Sequence, residues 1–208
     1  MSYRQHRSIH REPQWRPVRQ CPGYFLPSGH RRWLLDDGSL TNHLIAASGG
    51  HFRVQRLSQD WQVPLPSEQR LLGLPARQRA LIREVALLTR DQPAVFARSV
   101  FPVTSLEGSL RHLRGLQNRS LGSILFQNPG MRRSPFELAL MAGDADYLPP
   151  DYRQDMPAWG RRSRFIVGGV PLMVSEVFLA HFQPWPATLP VHRSQRGRVD
   201  PENLVAKQ

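Results

Sequence analysis

Apolar and polar residues alternate with a period of two along much of the chain, which is the pattern of β-strands. The alternation predicts strands at residues 52–57, 79–89, 94–101, 161–167 and 170–179. The turn sequences Asp91-Gln92-Pro93 and Gly168-Gly169 separate the last four strands and predict two hairpins. Because hairpins join neighbouring antiparallel strands, the pattern favours an antiparallel sheet.

Between the strands, leucines recur at helical spacing and predict short helices. Ser39 is a suitable N-cap for a helix that begins at Leu40 and ends at Gly49-Gly50. Thr104, with Glu107 three residues later, has the spacing of a capping box and predicts another helix start. A short turn or helix is predicted at residues 67–72, and another short helix at residues 121–126. Hairpin strands with helices clustered between them predict an α+β fold.

Polar segments bound the periodic part of the chain. Residues 1–28 mix Arg, Pro, Gln and His and predict a disordered basic tail, while residues 187–208 predict a polar C-terminal tail. Residues 29–186 predict a single domain, because 208 residues with 40% hydrophobic content can build one sizeable core. Within this domain, the acidic residues 143–157 predict a surface insertion.

The formal net charge of +12 is concentrated at the two ends of the chain. Residues 1–32 contain seven arginines against one acid, and residues 193–208 contain four basic residues against two acidic ones. Aromatic residues are not interleaved with the basic ones as they are on a nucleic-acid-binding face. We therefore expect no nucleic-acid partner, although the ends suit a weak contact with a polyanion or an anionic membrane.

Metal-binding and reactive residues are sparse. Cys21 is the only cysteine, which excludes an internal disulfide. His6 and His10 have a metal-like spacing, but they lie in the predicted tail without a third ligand, so neither a metal nor a cofactor is expected. The chain has no apolar run of membrane-spanning length and no signal-like apolar stretch near residue 1, so we expect a cytoplasmic protein without a transmembrane segment.

Two charged residues fall on apolar faces of predicted strands. Arg83 shares a face with Val85, and Glu176 shares one with Val174, because side chains alternate along a strand. A buried charge is costly unless it is satisfied, so the pair indicates either a cavity for a small polar ligand or two buried structural partners. A third interpretation is that Arg83 pairs locally and faces solvent. The cluster Arg161-Arg162-Ser163-Arg164 is typical of a solvent-exposed strand end, and the alternative is a phosphate-binding site.

Short blocks between residues 31 and 185 stand in the same order as those of a known enzyme family. The most specific is Trp159-Gly160-Arg161-Arg162-Ser163-Arg164; the others are residues 33–41, 82–88, 97–106, 119–126, 169–172 and 175–179. On these blocks the chain resembles chorismate pyruvate-lyase, also called 4-hydroxybenzoate synthase.

The resemblance implies a cofactor-free lyase with chorismate as substrate and 4-hydroxybenzoate and pyruvate as products, at the first committed step towards ubiquinone. It also implies an antiparallel sheet of about six strands, with helical flaps over an internal ligand site. A single domain of this kind is expected to be a monomer.

The same resemblance implies roles for particular residues. Arg83 would hold the ring carboxylate together with the backbone amides of Leu40 and Leu121. Glu176 would contact the ether or hydroxyl oxygen at the other end of the ring, where it would act as a general acid or orient the substrate. A member of the family has methionine at the position of Leu40, and a glycine that lines the family's site is replaced here by Ala97, whose extra methyl group is expected to narrow the pocket.

Two other functions stay open at this point. A non-catalytic effector-binding module of the same fold would bind a small carboxylate without turning it over, although no DNA-binding helix pair is predicted in this chain. A basic nucleic-acid-binding protein would act instead through its arginine-rich ends.

Overall fold

Strands form where the alternation predicts them and at three further places. A computed structural model describes residues 12–184, and within them eight strands make one antiparallel sheet. They are β1 (Arg16–Pro17), β2 (Phe52–Gln62), β3 (Ala80–Thr89), β4 (Gln92–Pro102), β5 (Arg132–Arg133), β6 (Glu137–Met141), β7 (Ala158–Val167) and β8 (Val170–Phe178). The α+β fold is confirmed, and the expected count of about six matches the strands longer than two residues.

The two predicted hairpins, β3–β4 and β7–β8, form the centre of the sheet. The strand order is β1-β6-β7-β8-β4-β3-β2, and β5 also pairs with β7. Gly168 and Gly169 have φ angles of 58° and 82°, which a two-residue hairpin turn of the primed type requires. The hairpins meet through the β4–β8 pair, which brings two distant parts of the sequence side by side.

Among residues 12–184, four short α-helices lie outside the sheet: α1 (Ser28–Leu35), α2 (Leu40–Ala47), α3 (Pro66–Leu72) and α4 (Leu121–Leu125). The predicted cap of α2 is confirmed, since the Ser39 hydroxyl accepts a hydrogen bond from the Asn42 amide. No helix in the described part of the chain has the length and hydropathy to span a membrane.

The prediction of a helix that begins at Thr104 is wrong. Two 3-10 helices, Val103–Leu106 and Gly108–Gly115, replace it, and Thr104 lies inside the first of them. Gly108 has a φ of 62°, a left-handed conformation that interrupts any continuous right-handed helix. The leucines are nevertheless buried as their spacing indicates; they are Leu106, Leu110, Leu113 and Leu116.

Regular structure begins before residue 29, the predicted start of the domain. Strand β1 falls within residues 1–28, and its residues pair with Leu138 and Glu137 of β6. Trp15, just before it, packs edge-on against Tyr147 with ring centres 5.9 Å apart. The ordered fold therefore includes residues from 12 onwards, whereas residues 1–11 and the predicted tail at 187–208 lie outside the described residues.

The segment predicted as a surface insertion, residues 143–157, is partly built into the core. Tyr147 and Leu148 are 7% and 1% exposed. Gly143 lies so close to the carbonyl oxygens of Gln154 and Met156 that no side chain fits there. The acidic residues suggested a solvated loop, but the apolar side chains between them pack against the sheet.

Helices and loops cover both faces of the sheet. On one face, α1, α2, α4 and the 3-10 helix Gly108–Gly115 contribute to two apolar clusters that include Val85, Ala97 and Phe165. On the other face, the loop with Tyr147 packs in a cluster with Phe96, and Leu72 of α3 packs with Ile82. Consequently, most side chains on both faces of the central strands are buried.

Candidate functional site

The register of the central strands brings distant polar residues onto one face. Arg83 of β3 lies opposite Ser99 of β4, which lies opposite Val174 of β8. In the next row, Ala97 lies opposite Glu176, and Glu176 lies opposite Arg161 of β7. Arg83 and Glu176 are therefore two strands apart on the same covered face.

A cavity separates this face from helices α2 and α4, which we call the two flaps. Its lining is mostly apolar and includes Leu40 and Leu121 of the flaps and Ala97 of the sheet. All four residues predicted for the site, together with Ala97, line this cavity. The charged residues that line it are Arg83, Arg133, Arg161 and Glu176.

Arg83 is 2% exposed and forms no ion pair within the described residues. Its Nη2 donates hydrogen bonds to the carbonyl oxygens of Gln117 and Arg119, at 2.9 and 2.8 Å. Its Nε is buried without a hydrogen-bond partner. Burial, reinforced by the charge of Arg56, lowers the pKa of Arg83 to about 10, so it stays a cation at neutral pH. A buried cation with an unused donor is suited to an anionic ligand.

Glu176 is paired with Arg161 and not with Arg83. Glu176 Oε2 accepts a hydrogen bond from Arg161 Nε at 2.6 Å. Arg161 Nη1 also donates to the carbonyl oxygens of Trp33 and Asp36, which lie at the end of α1 and just beyond it. The interpretation of Arg83 and Glu176 as direct structural partners is therefore wrong, and so is the interpretation that Arg83 faces solvent.

The cluster at 161–164 is not a solvent-exposed strand end. Arg161 and Arg162 are 2% and 4% exposed, because flaps cover one face of β7 and α3 covers the other. Arg162 points away from the cavity, and its guanidinium bonds to Glu137 Oε2 at 2.6 Å and to the Ser67 hydroxyl at 2.8 Å. One signal was available: a two-residue turn at Gly168-Gly169 sets Arg161 directly opposite Glu176.

The two flaps begin at the cavity. Leu40 and Leu121 are the first residues of α2 and α4, where backbone N–H groups have no acceptor within the helix. Ser120 caps α4 as Ser39 caps α2. The hydroxyls of Thr41 and Ser120 are 2.7 Å apart and form a hydrogen bond that links the flaps.

Two further polar groups in the cavity have no hydrogen-bond partner: Arg133 Nη2 and the Ser163 hydroxyl. The residues are 4% and 2% exposed. Burial, followed by repulsion from Arg161, lowers the pKa of Arg133 to about 10. Arg133 does not stand out in the sequence, because nothing near β5 shows strand alternation.

No group of three or more His, Cys, Asp or Glu side chains in residues 12–184 is arranged to hold a metal ion. Cys21 is half-buried away from the cavity, and its sulfur lies 3.9 Å from the Arg16 carbonyl oxygen. His6 and His10 lie outside the described residues. The chemistry available in the cavity is therefore that of three guanidinium groups, one carboxyl group and several hydroxyls.

The chain matches the family model described as chorismate lyase over residues 13–185. It is 43% identical over 165 residues to a Methylococcus capsulatus protein named "Probable chorismate pyruvate-lyase", which covers 78% of this chain and 98% of that protein. A protein of the same name from Alcanivorax borkumensis is 41% identical over 172 residues, covering 83% of this chain and 78% of that protein.

Among solved structures, the effector domain of PhnF from Mycobacterium smegmatis superposes with a TM-score of 0.50. The two chains are 14% identical, and the match covers 70% of this chain and 91% of that one. At this identity the likeness shows a shared fold alone.

Proposed function

The chain belongs to the chorismate lyase family, and on that premise we propose that it converts chorismate to 4-hydroxybenzoate and pyruvate in the cavity beneath the flaps. The observation that carries the proposal is the charge of this cavity. Three buried arginines against one glutamate leave two positive charges unbalanced. Chorismate carries two carboxylates and therefore matches this excess.

In this proposal Arg83 binds the ring carboxylate. Its planar guanidinium suits a carboxylate, and its unpartnered Nε supplies a donor that the protein itself does not use. The amides of Leu40 and Leu121 complete the contact, because both residues begin helices that line the cavity. Support for this arrangement comes from the absence of any carboxylate partner for Arg83 among the described residues.

Glu176 acts at the opposite end of the ring. In the reaction the bond between the ring and the enolpyruvyl oxygen breaks, the adjacent ring carbon loses its hydrogen, and the ring becomes aromatic. Glu176 either donates a proton to the departing oxygen and then takes up the proton that the ring carbon releases, or it orients the substrate while that hydrogen passes directly to the leaving group. Its Oε1 makes no hydrogen bond within the described residues, which supports a contact with the substrate.

Arg161 is a positioning residue in this scheme. It fixes the Glu176 carboxylate and ties it to the backbone at the end of α1. Because aromatisation makes the reaction strongly downhill, positioning and exclusion of water suffice, and the proposal includes no cofactor. We further propose a cytoplasmic monomer that supplies 4-hydroxybenzoate towards ubiquinone and binds no nucleic acid.

The proposal is tested by incubating the purified chain with chorismate in the absence of metal and nucleotide. We expect equimolar 4-hydroxybenzoate and pyruvate, quantified by chromatography and by a coupled pyruvate assay. Tight binding of 4-hydroxybenzoate without turnover would instead establish the effector-binding module, whose fold the PhnF domain shares. If the chain neither turns chorismate over nor binds 4-hydroxybenzoate, both functions are refuted.

The hydrogen bond between the flaps is expected to slow product release. Replacing Thr41 by valine removes it while keeping the side-chain volume, so the flaps open more readily. A neutral hydrogen bond contributes roughly 0.5–1.5 kcal/mol, so the 4-hydroxybenzoate dissociation rate should rise about 2- to 10-fold. Stopped-flow displacement measures this rate.

The matched control is Thr104→Val, because this threonine is exposed and lies outside the cavity. Equal dissociation rates in the two variants would show that the hydrogen bond between Thr41 and Ser120 does not slow product release.

Removal of residues 1–11 and 190–208 is expected to leave kcat and KM for chorismate unchanged, because the cavity is built from residues 38–176. The same truncation removes five of the twelve net positive charges. A loss of turnover, measured beside the full chain at equal concentration, would show that the ends contribute to the site. Filter binding of a polynucleotide by the full chain would revive the nucleic-acid hypothesis.

A further inference from the structure

Arg133 is the second cation of the cavity that forms no ion pair within the described residues, although Glu176, Asp37 and Asp36 are near enough to stabilise its charge. It lies on β5 opposite Phe165 of β7. Both Arg133 and Arg83 line the same cavity, but strands β7, β8 and β4 lie between them. The carbon of its guanidinium lies 4.4 Å from the ring centre of Phe136 and 5.9 Å from those of Phe126 and Phe165. Aromatic faces hold this cation in place, but they do not neutralise its charge.

The donors beside Arg133 point to an anion. Arg133 Nη2 and the Ser163 hydroxyl are both buried and both lack a hydrogen-bond partner. Ser163 lies two residues from Phe165, which pairs with Arg133, and so belongs to the same side of the cavity. A charge and a hydroxyl that are buried without hydrogen-bond partners raise the free energy of the folded protein. A ligand that accepts hydrogen bonds from both groups removes this cost and is bound correspondingly more tightly.

Glu176 lies between the two cations. Across the sheet, β5 and β7 carry Arg133 and Ser163, β8 carries Glu176, and β3 carries Arg83. Chorismate has a matching order of groups, in which the ether oxygen stands between the ring carboxylate and the carboxylate of the enolpyruvyl group.

We propose that Arg133 and Ser163 bind the carboxylate of the enolpyruvyl group and, after the ether bond breaks, the carboxylate of pyruvate. The inference rests on the proposed function and adds a binding site for the enolpyruvyl group, the part of the substrate that 4-hydroxybenzoate lacks. Arg83 then recognises substrate and aromatic product alike, whereas Arg133 recognises only the substrate and pyruvate.

The test compares two ligands across matched variants of the full chain. Arg133→Met removes the charge and keeps the length of the side chain, and it should raise KM for chorismate about 10- to 100-fold. The Kd of 4-hydroxybenzoate, measured by calorimetry, should change less than about 3-fold, because this product has no second carboxylate. Arg83→Met should weaken both ligands, and Arg132→Met, at the neighbouring exposed position, should weaken neither.

Thermal unfolding separates a binding role from a structural one. Because Arg133 buries an unpaired charge, Arg133→Met should unfold at the same or a higher temperature than the wild type. Ser163→Ala gives a second, milder variant with the same expected split between the two ligands.

Two results would overturn the inference: an unchanged KM for chorismate, or equal weakening of chorismate and 4-hydroxybenzoate in Arg133→Met. Failure of the proposed function is distinct, because the wild-type chain would then not turn chorismate over at all.

Discussion

Glu176→Gln is expected to lower kcat for chorismate by about 100-fold or more while changing KM much less, because a positioned carboxyl group contributes roughly 10²- to 10⁴-fold to proton transfer. Glutamine keeps the volume and one oxygen for Arg161, but it has neither the charge nor the exchangeable proton of the carboxyl group. Steady-state kinetics over a range of chorismate concentrations separates the two parameters.

The opposite face of the sheet supplies a matched control for this variant. Glu137 pairs with Arg162 at 2.6 Å, the distance at which Glu176 pairs with Arg161. The two glutamate side chains are 24% and 20% exposed, and each partner arginine is at most 5% exposed. Glu137→Gln and Glu176→Gln should therefore lower the free energy of unfolding by similar amounts.

Only the variant at Glu176 should lose kcat, because Glu137 does not line the cavity. A comparable loss of kcat in both variants would assign the effect to weakened packing of β7. Glu176→Gln with wild-type kcat would refute a direct role of this carboxyl group and leave conformation of the substrate as the source of catalysis.

Arg83→Gln is expected to remove most chorismate turnover at low substrate concentration by weakening binding. Charge-assisted hydrogen bonds to a carboxylate contribute about 1.5–3 kcal/mol, so the Kd of 4-hydroxybenzoate should rise at least about 10-fold. Glutamine is chosen because it is polar and uncharged; it is shorter than arginine, so the variant also loses the hydrogen bonds to the carbonyl oxygens of Gln117 and Arg119, which Arg83 holds in front of α4.

A neutral ligand distinguishes loss of the charge from damage to this loop. The wild type should bind 4-hydroxybenzoate more tightly than 4-hydroxybenzamide, because only the acid carries a carboxylate for Arg83. In Arg83→Gln this preference should disappear, so that the two ligands bind with similar Kd values by calorimetry. A preference that survives the substitution would place the carboxylate elsewhere in the cavity, and a uniform loss of both ligands would indicate a displaced flap.

Local sequence was sufficient for the existence of both hairpins and for placing Arg83 and Glu176 on apolar strand faces. The first turn, however, lies at Arg90-Asp91, which have positive φ angles, and not at the predicted Asp91-Gln92-Pro93. A two-residue turn such as Gly168-Gly169 fixes the register of its own strands, since both residues adopt positive φ angles. The two-residue period of a strand then places Arg83 and Glu176 on the faces of Val85 and Val174. Both inferences depend only on residues close together in the chain.

The position of Leu40 and Leu121 at the cavity came from resemblance to a family and not from local pattern. Caps at Ser39 and Ser120 indicate where two helices begin, but they do not indicate that these helices lie over the same sheet face. The hydrogen bond between Thr41 and Ser120, which are 79 residues apart, exists only in the folded chain.

The sequence by itself determined the strand and hairpin pattern, the α+β class and the position of Arg83 and Glu176 on apolar strand faces, because each follows from contacts between near neighbours in the chain. The tertiary structure alone decided that Arg161 and Arg162 are buried on opposite faces, that Arg161 and not Arg83 is the partner of Glu176, and that Arg133 faces the same cavity. The physical reason is that burial of a polar side chain depends on what covers it, and the covering elements come from distant parts of the sequence.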